Sequence, residues 1–288
     1  MTIPIIDAHQ HFWNPDGGGY SYPWLSGPFQ PIRRAFAPDD LRADLEADGI
    51  SATVLVQTQN SLDETRDFLR LAEATDFVAG VVGWVDLTDP AVAETLDALR
   101  SGSGGRWLVG VRHLLHEEDD PAWILRPDAR QGLEAVAAAG LAYDLVGTTA
   151  HLPAMARIVA EMPRLRFVLD HIAKPDIAAG VMEPWRSLVR QVAAHREHVW
   201  CKLSGMITEA DWTRWKPSDL QPYIAHALAA FGVERCMFGT DWPVCLVAGS
   251  YRDVVAALGA ALGDLDSEQH AQIMGGSAIA AYRLPQFS

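Results

Sequence analysis

The chain has 288 residues, 49% apolar and 21% charged, and its 37 acidic and 23 basic side chains give a formal net charge of −14. Such a composition suits a folded globule with a large core, and the acidic excess repels a phosphate backbone, so nucleic acid is excluded as an expected partner. The three cysteines, Cys201, Cys236 and Cys245, are odd in number and lack CxxC spacing, which argues against a disulfide framework and a structural zinc site and fits a reducing, cytoplasmic setting.

The first apolar run, Ile5–Phe12, reads as a strand. Asp7, His9 and His11 interrupt it, so it does not read as a leader, and no later run approaches the roughly 18 apolar residues of a membrane span. No membrane partner is expected. The segment from Asn14 to Ala37, with Gly17–Gly19, Trp24 and Pro28, is too long for a routine connection and reads as a functional loop over a site.

Strands are then expected at Ala52–Gln57, Val78–Val85, Leu108–Leu114, Ala142–Val146, Arg166–His171, Val199–Leu203 and Cys236–Gly239. Helices alternate with them at Pro38–Asp48, Ser61–Thr75, Pro90–Arg100, Asp128–Ala139, Leu152–Met162, Pro184–Arg196, Asp219–Phe231 and Tyr251–Leu262. Several open on proline or a small polar residue and stop at glycine, as at Gly49, Gly140, Gly232 and Gly263. A final helix over Ser267–Tyr282 is an extra element expected to pack across one end.

Eight strand–helix units point to an α/β fold, a parallel (β/α)8 TIM barrel spanning residues 1–288 as one domain with an extra C-terminal helix. A doubly wound open sheet shows the same alternation, but no Gly-x-Gly-x-x-Gly turn follows the first strand.

In a parallel barrel the reactive groups sit where strands end. The two-residue strand period puts His9 and His11 on one face, about 7 Å apart along the backbone. The sixth run ends Asp170-His171, and the eighth runs on through Gly239 and Thr240 to Asp241. Strands one and eight become neighbours on closure, so His9, His11, His171 and Asp241 could converge, either to bind one divalent ion such as zinc or to orient water around a general base. Any one of these histidines alone is more often a hydrogen-bonded core or surface residue.

Arg112 and Lys174 are candidates for holding substrate oxygens or stabilising an oxyanion; the alternative for each is a salt bridge, with Asp144 a candidate partner. His113 points to the face opposite Arg112, so one of the two enters the barrel. Lys202 and Ser204 share a face whose direction the sequence leaves open. Trp13, Trp24 and Trp242 lie beyond strand ends or in the long first loop, where an aromatic face could stack on a sugar ring, although tryptophan is more often core.

Asp7-Ala8-His9-Gln10-His11-Phe12-Trp13, Leu169-Asp170-His171-Ile172-Ala173-Lys174-Pro175 and Phe238-Gly239-Thr240-Asp241-Trp242-Pro243 resemble the amidohydrolase superfamily, in the amidohydrolase-2 branch that contains sugar lactonases and a pyrone-dicarboxylate lactonase. Val109–His113, Val199–Gly205 and Gly275–Ala278 with Tyr282 are also similar to that branch, so the resemblance runs the whole chain in order.

It departs from the two-metal members, which supply a lysine from strand four and a histidine from strand five; Leu108–Leu114 has no lysine and Ala142–Val146 no histidine, while His151 reads as the start of the next helix. The resemblance therefore implies either a mononuclear site or catalysis without metal. It implies hydrolysis of a small sugar-acid lactone, with Asp241 as general base towards water, proton return from Asp241 to the departing ring oxygen, and the three histidines steadying charge. A metal-dependent decarboxylase of an aromatic or unsaturated acid, a pyrone-dicarboxylate-type lactonase needing more than one cation, and a non-catalytic sugar-acid binder are the alternatives.

Overall fold

The computed structural model describes residues 3–17, 19–195, 197–263, 265–284 and 286–287. Eight strands, β1 (Ile6–Gln10), β2 (Ala52–Val56), β3 (Val78–Gly83), β4 (Leu108–Leu114), β5 (Ala142–Val146), β6 (Arg166–Leu169), β7 (Val199–Leu203) and β8 (Cys236–Phe238), form one sheet in sequence order. Every sequential pair is parallel. The sheet closes beyond β8: Asp241 N donates to His9 O at 2.8 Å and His11 N to Trp242 O at 2.7 Å. Closure is thus made by the segments that carry the first two histidines and the late aspartate.

Return helices α1 (Pro38–Asp48), α2 (Leu62–Ala74), α3 (Val92–Ser101), α4 (Pro127–Ala138), α5 (Leu152–Glu161), α6 (Trp185–Ala193), α7 (Pro217–Phe231) and α8 (Tyr251–Leu262) follow the strands. The helix expected over Pro184–Arg196 is shorter, and Arg196 lies outside the described residues. Gly49, Gly140, Gly232 and Gly263 take positive φ at the helix ends, where a side chain would clash with the backbone.

Branched and aromatic residues fill the layer between sheet and helices, while Ile6, Ala8, Val54, Val56, Val82, Val168 and Met237 form a separate inner cluster. Tyr282 rises into this inner cluster from the C-terminal segment. That segment is helical over Ser267–Tyr282, as expected, with α9 (Ser267–Ala271) and α10 (Ser277–Tyr282) joined by a wide π-type turn over Gln272–Gly276. Close approach explains the glycine there, because a Cβ on Gly275 would sit 1.9 Å from Pro4 O, at the entry to β1. The segment also receives the Arg166 Nε bond at Ala281 O, so it crosses the end of the barrel where the strands begin.

A bulge in β1 sets the direction of the site. Asp7 pairs with Thr53 but Gln10 with Leu55, so β1 carries one extra residue. Strict alternation would group Asp7 with His9 and His11. Instead Asp7 faces the helix layer, where it accepts from Tyr251 of α8 at 3.1 Å, and His9 turns into the barrel.

Candidate active site

The barrel interior is graded along its axis. Above the apolar floor, four charged residues point inside: Arg112 of β4, Asp144 of β5, Asp170 directly after β6 and Lys202 of β7, the last three fully buried. Lys202 Nζ lies 2.6 Å from Asp144 Oδ2 and 2.9 Å from Asp170 Oδ1. Tyr282 Oη donates to Asp144 at 2.7 Å, and Arg112 Nη1 pairs with Asp170 at 2.9 Å and donates through Nη2 to Gln57 O. The inward member of the Arg112–His113 pair is therefore Arg112, and its carboxylate partner is Asp170 rather than Asp144. His113 packs outside, stacked on Trp123 at 4.0 Å.

His9 rests on this ladder. Lys202 Nζ is 3.1 Å from its Nδ1 and Arg112 Nη1 3.3 Å from its Nε2. Burial, then the Lys202 charge, push the imidazole well below its ordinary range, so it is neutral at physiological pH. His11 Nδ1 meets Val56 O at 2.7 Å; a carbonyl only accepts, so that nitrogen carries the proton and Nε2 presents a lone pair in the neutral ring. The two Nε2 atoms are 3.2 Å apart.

His171 reaches the site differently from the strand end expected of it. β6 stops at Leu169, and His171, Ile172, Ala173 and Lys174 follow with φ of 52°, 46°, 60° and 48°. A left-handed run of four side-chain-bearing residues costs roughly 1–2 kcal/mol per residue, and such turns persist where surrounding packing enforces them. Here Ile172 and Ala173 are fully buried, and Trp185 donates to Ile172 O at 2.6 Å. The turn aims His171 and Lys174 at the mouth. His171 Nδ1 lies 2.9 Å from Ser204 Oγ, and the ring packs so closely on Gly205 (φ +63°) that a Cβ there would be 2.5 Å from Nδ1.

Asp241, also at positive φ (61°), completes the group. Its Oδ1 is 3.2 Å from His11 Nε2, 3.6 Å from His9 Nε2 and 3.9 Å from His171 Nε2. Burial alone would raise this carboxylate, but His171, His11 and His9 outweigh it and hold Asp241 well below the usual carboxylate range. Burial conversely pushes His171 down to about 4.

Ligand atoms of His9, His171 and Asp241 all lie within 4.8 Å of one another. Two neutral imidazoles and an ionised carboxylate, with a third histidine locked in the tautomer that offers a lone pair, form a donor set that fits one divalent metal ion. Among the described residues this is the one such group.

The model of the Amidohydrolase family (Amidohydro_2) matches residues 6–284. The chain belongs to this amidohydrolase family. It is 38% identical to an L-fucono-1,5-lactonase of Burkholderia ambifaria over 97% of this chain and 95% of that one. An amidohydrolase crystal structure from Burkholderia multivorans with bound Zn superposes with a TM-score of 0.90 at 36% identity, covering 98% of this chain and 100% of that one. A dihydroxybenzoic acid decarboxylase from Polaromonas, with bound manganese, shares the fold alone: TM-score 0.66 at 14% identity over 98% of each chain.

In this amidohydrolase a cavity of about 430 Å³ opens above the histidines. His11, His171, Asp241, Arg112 and Lys174 line it, with an apolar wall of Trp24, Phe29, Leu114, Val146 and Val244. Trp24 and Phe29 come from the long first loop. Trp13 and Trp242 do not line the cavity: both are buried, Trp13 donating to Ile32 O and packing on Trp24, and Trp242 packing on Phe12 and Phe36. They support the loop from behind. His151 opens the turn into α5 and bonds Leu115 O at 3.0 Å, away from the histidine group.

Residue patterning left the Asp144–Lys202–Asp170 ladder unread, and Thr58, His116, Glu117, Thr148 and Glu209 also line the cavity without having been singled out. For the ladder a signal existed: Asp144 and Lys202 are single charges inside the apolar runs of β5 and β7, Asp170 directly follows the apolar run of β6 between them, and buried charges in neighbouring strands are expected to pair. The loop residues carry no comparable pattern.

Proposed function

We propose that this chain opens a sugar-acid lactone by hydrolysis, in the manner of the L-fucono-1,5-lactonase it resembles, as one catalytic domain over residues 1–288. The carrying observation is the convergence of Asp241 with His9, His11 and His171 at the floor of a cavity sized for a small ring.

His9, His171 and Asp241, with His11 beside them, would hold a zinc ion, which when bound supplies Lewis acidity at the lactone carbonyl. The histidine contacts engage Asp241 through Oδ1, leaving Oδ2 to take a proton from the attacking water. The water oxygen bonds to the ring carbonyl carbon, the carbon–ring oxygen bond breaks, and Asp241 returns its proton to that ring oxygen. The product is an aldonic acid, which ionises and releases one proton to the medium. Arg112 is fixed by Asp170 and Gln57, so it faces the developing oxyanion as a preorganised charge. Trp24 offers an apolar face to the sugar ring. Ser204 orients His171.

A panel of aldono-1,5-lactones, with L-fucono-1,5-lactone among them, assayed with a pH indicator tests this. Proton release matched by aldonate formation is expected. Carbon dioxide release from a hydroxybenzoate, or binding heat without product, would replace it with the decarboxylase or the non-catalytic reading.

A further inference from the structure

Each cation lining the cavity is already met by a carboxylate. Arg112 is held by Asp170 beneath the floor, and at the rim Lys174 Nζ lies 2.7 Å from Glu209 Oε1. Lys174 and Glu209 are equally open, at 24% side-chain exposure each, and both line the cavity. Backbone geometry fixes the pair from both sides. Lys174 ends the left-handed turn with its N–H on His171 O at 2.9 Å, while Glu209 N bonds Met206 O at 3.2 Å and Glu209 O accepts from Ala178 N at 2.9 Å. The rim therefore presents a donor beside an acceptor. Asp241 and Glu117 add two further acidic groups to the lining.

We infer that Glu209 is a specificity-determining residue that confines this site to uncharged lactones by engaging Lys174; the inference rests on the lactonase reading above. A hydroxyl both donates and accepts, so a polyhydroxy ring can bridge the ammonium and the carboxylate without breaking their pair. A lactone bearing its own carboxylate must displace Glu209 from Lys174 and then lie beside the displaced charge, and like charges brought together at a partly desolvated rim repel strongly. Removing the Glu209 charge leaves Lys174 available to a carboxylate.

The test compares a neutral aldono-1,5-lactone with an aldarolactone of the same ring, in which a carboxylate replaces the terminal carbon group. In Glu209→Gln the ratio of kcat/KM for the acidic lactone over the neutral one rises at least about tenfold, mainly through a lower KM for the acidic lactone. Lys174→Met/Glu209→Gln loses that gain. Glu209→Thr, which also removes the charge, serves if the amide variant folds poorly. A ratio unchanged in the single variants, or a gain that survives loss of Lys174, would overturn the inference. Calorimetric titration with the dianion galactarate separates this outcome from failure of the lactonase reading. If the wild type opens no lactone, the function is wrong, yet tighter galactarate binding by Glu209→Gln than by wild type still supports the charge filter, and equal binding still overturns it.

Discussion

Lys202 is the residue on which the polar layer of the barrel depends. Its ammonium is fully buried and lies between Asp144 and Asp170, so removing it leaves two carboxylates facing one another in a low-dielectric interior, with Arg112 and His9 beside Asp170 and Tyr282 beside Asp144. Lys202→Met should cost about 3–5 kcal/mol in urea denaturation, the range for breaking a buried ion pair from one side. A loss under about 1 kcal/mol would mean that the pair behaves like a surface one. The four groups around the candidate metal position were legible because each closes, or directly follows, an apolar run that could be read as a strand. Lys202 was not: its place in β7 gave its face relative to Ser204, but which face is inward depends on packing that no local pattern encodes.

At the level of elements, the expected strands and helices differ from those observed chiefly at their ends, and the ends are where the chemistry lies. The sixth strand is expected to run through His171, whereas it stops at Leu169 and a left-handed run begins at His171; four consecutive positive φ values at His, Ile, Ala and Lys have no signature in residue preference, since they are imposed by packing around Ile172 and Ala173. The bulge in β1 was hidden for the same reason, since its register is set by β2.

The β2–α2 connection carries its own prediction. Glu64 of α2 is buried, accepts from Thr58 N at 2.9 Å, Gln59 N at 3.3 Å and the Thr58 hydroxyl, and so holds Thr58 at the cavity wall. Burial pushes its carboxyl from the usual 4.5 to about 7 despite those bonds. A raised folded-state pKa means that the native state holds the proton more tightly than the unfolded chain. The stability it contributes is present below pH 4.5 and is lost as pH rises through 7. The stability of wild type relative to Glu64→Gln, measured by urea denaturation, should therefore fall between pH 5 and pH 8, by up to about 3 kcal/mol. A pH-independent difference would show that Glu64 is ionised across that range.

For the molecule as a whole, closure of the barrel brings residues from opposite ends of the chain into one cavity: His9 and His11 lie next to Asp241 because β1 and the segment after β8 bond directly. The C-terminal segment covers the other end, so polar and reactive groups gather at one mouth and apolar side chains fill the rest. The eight-unit count and the final helix over Ser267–Tyr282 made this architecture readable, whereas the π-type turn inside that helix was not, because it lies where Gly275 passes close over Pro4.

The central claim is that Asp241 moves the proton in lactone opening. Its most direct test is kcat for Asp241→Asn on the best lactone of the panel, with folding checked by circular dichroism. The amide cannot take a proton from water, so kcat should fall about a thousandfold in a folded protein; turnover within about tenfold of wild type would contradict the account.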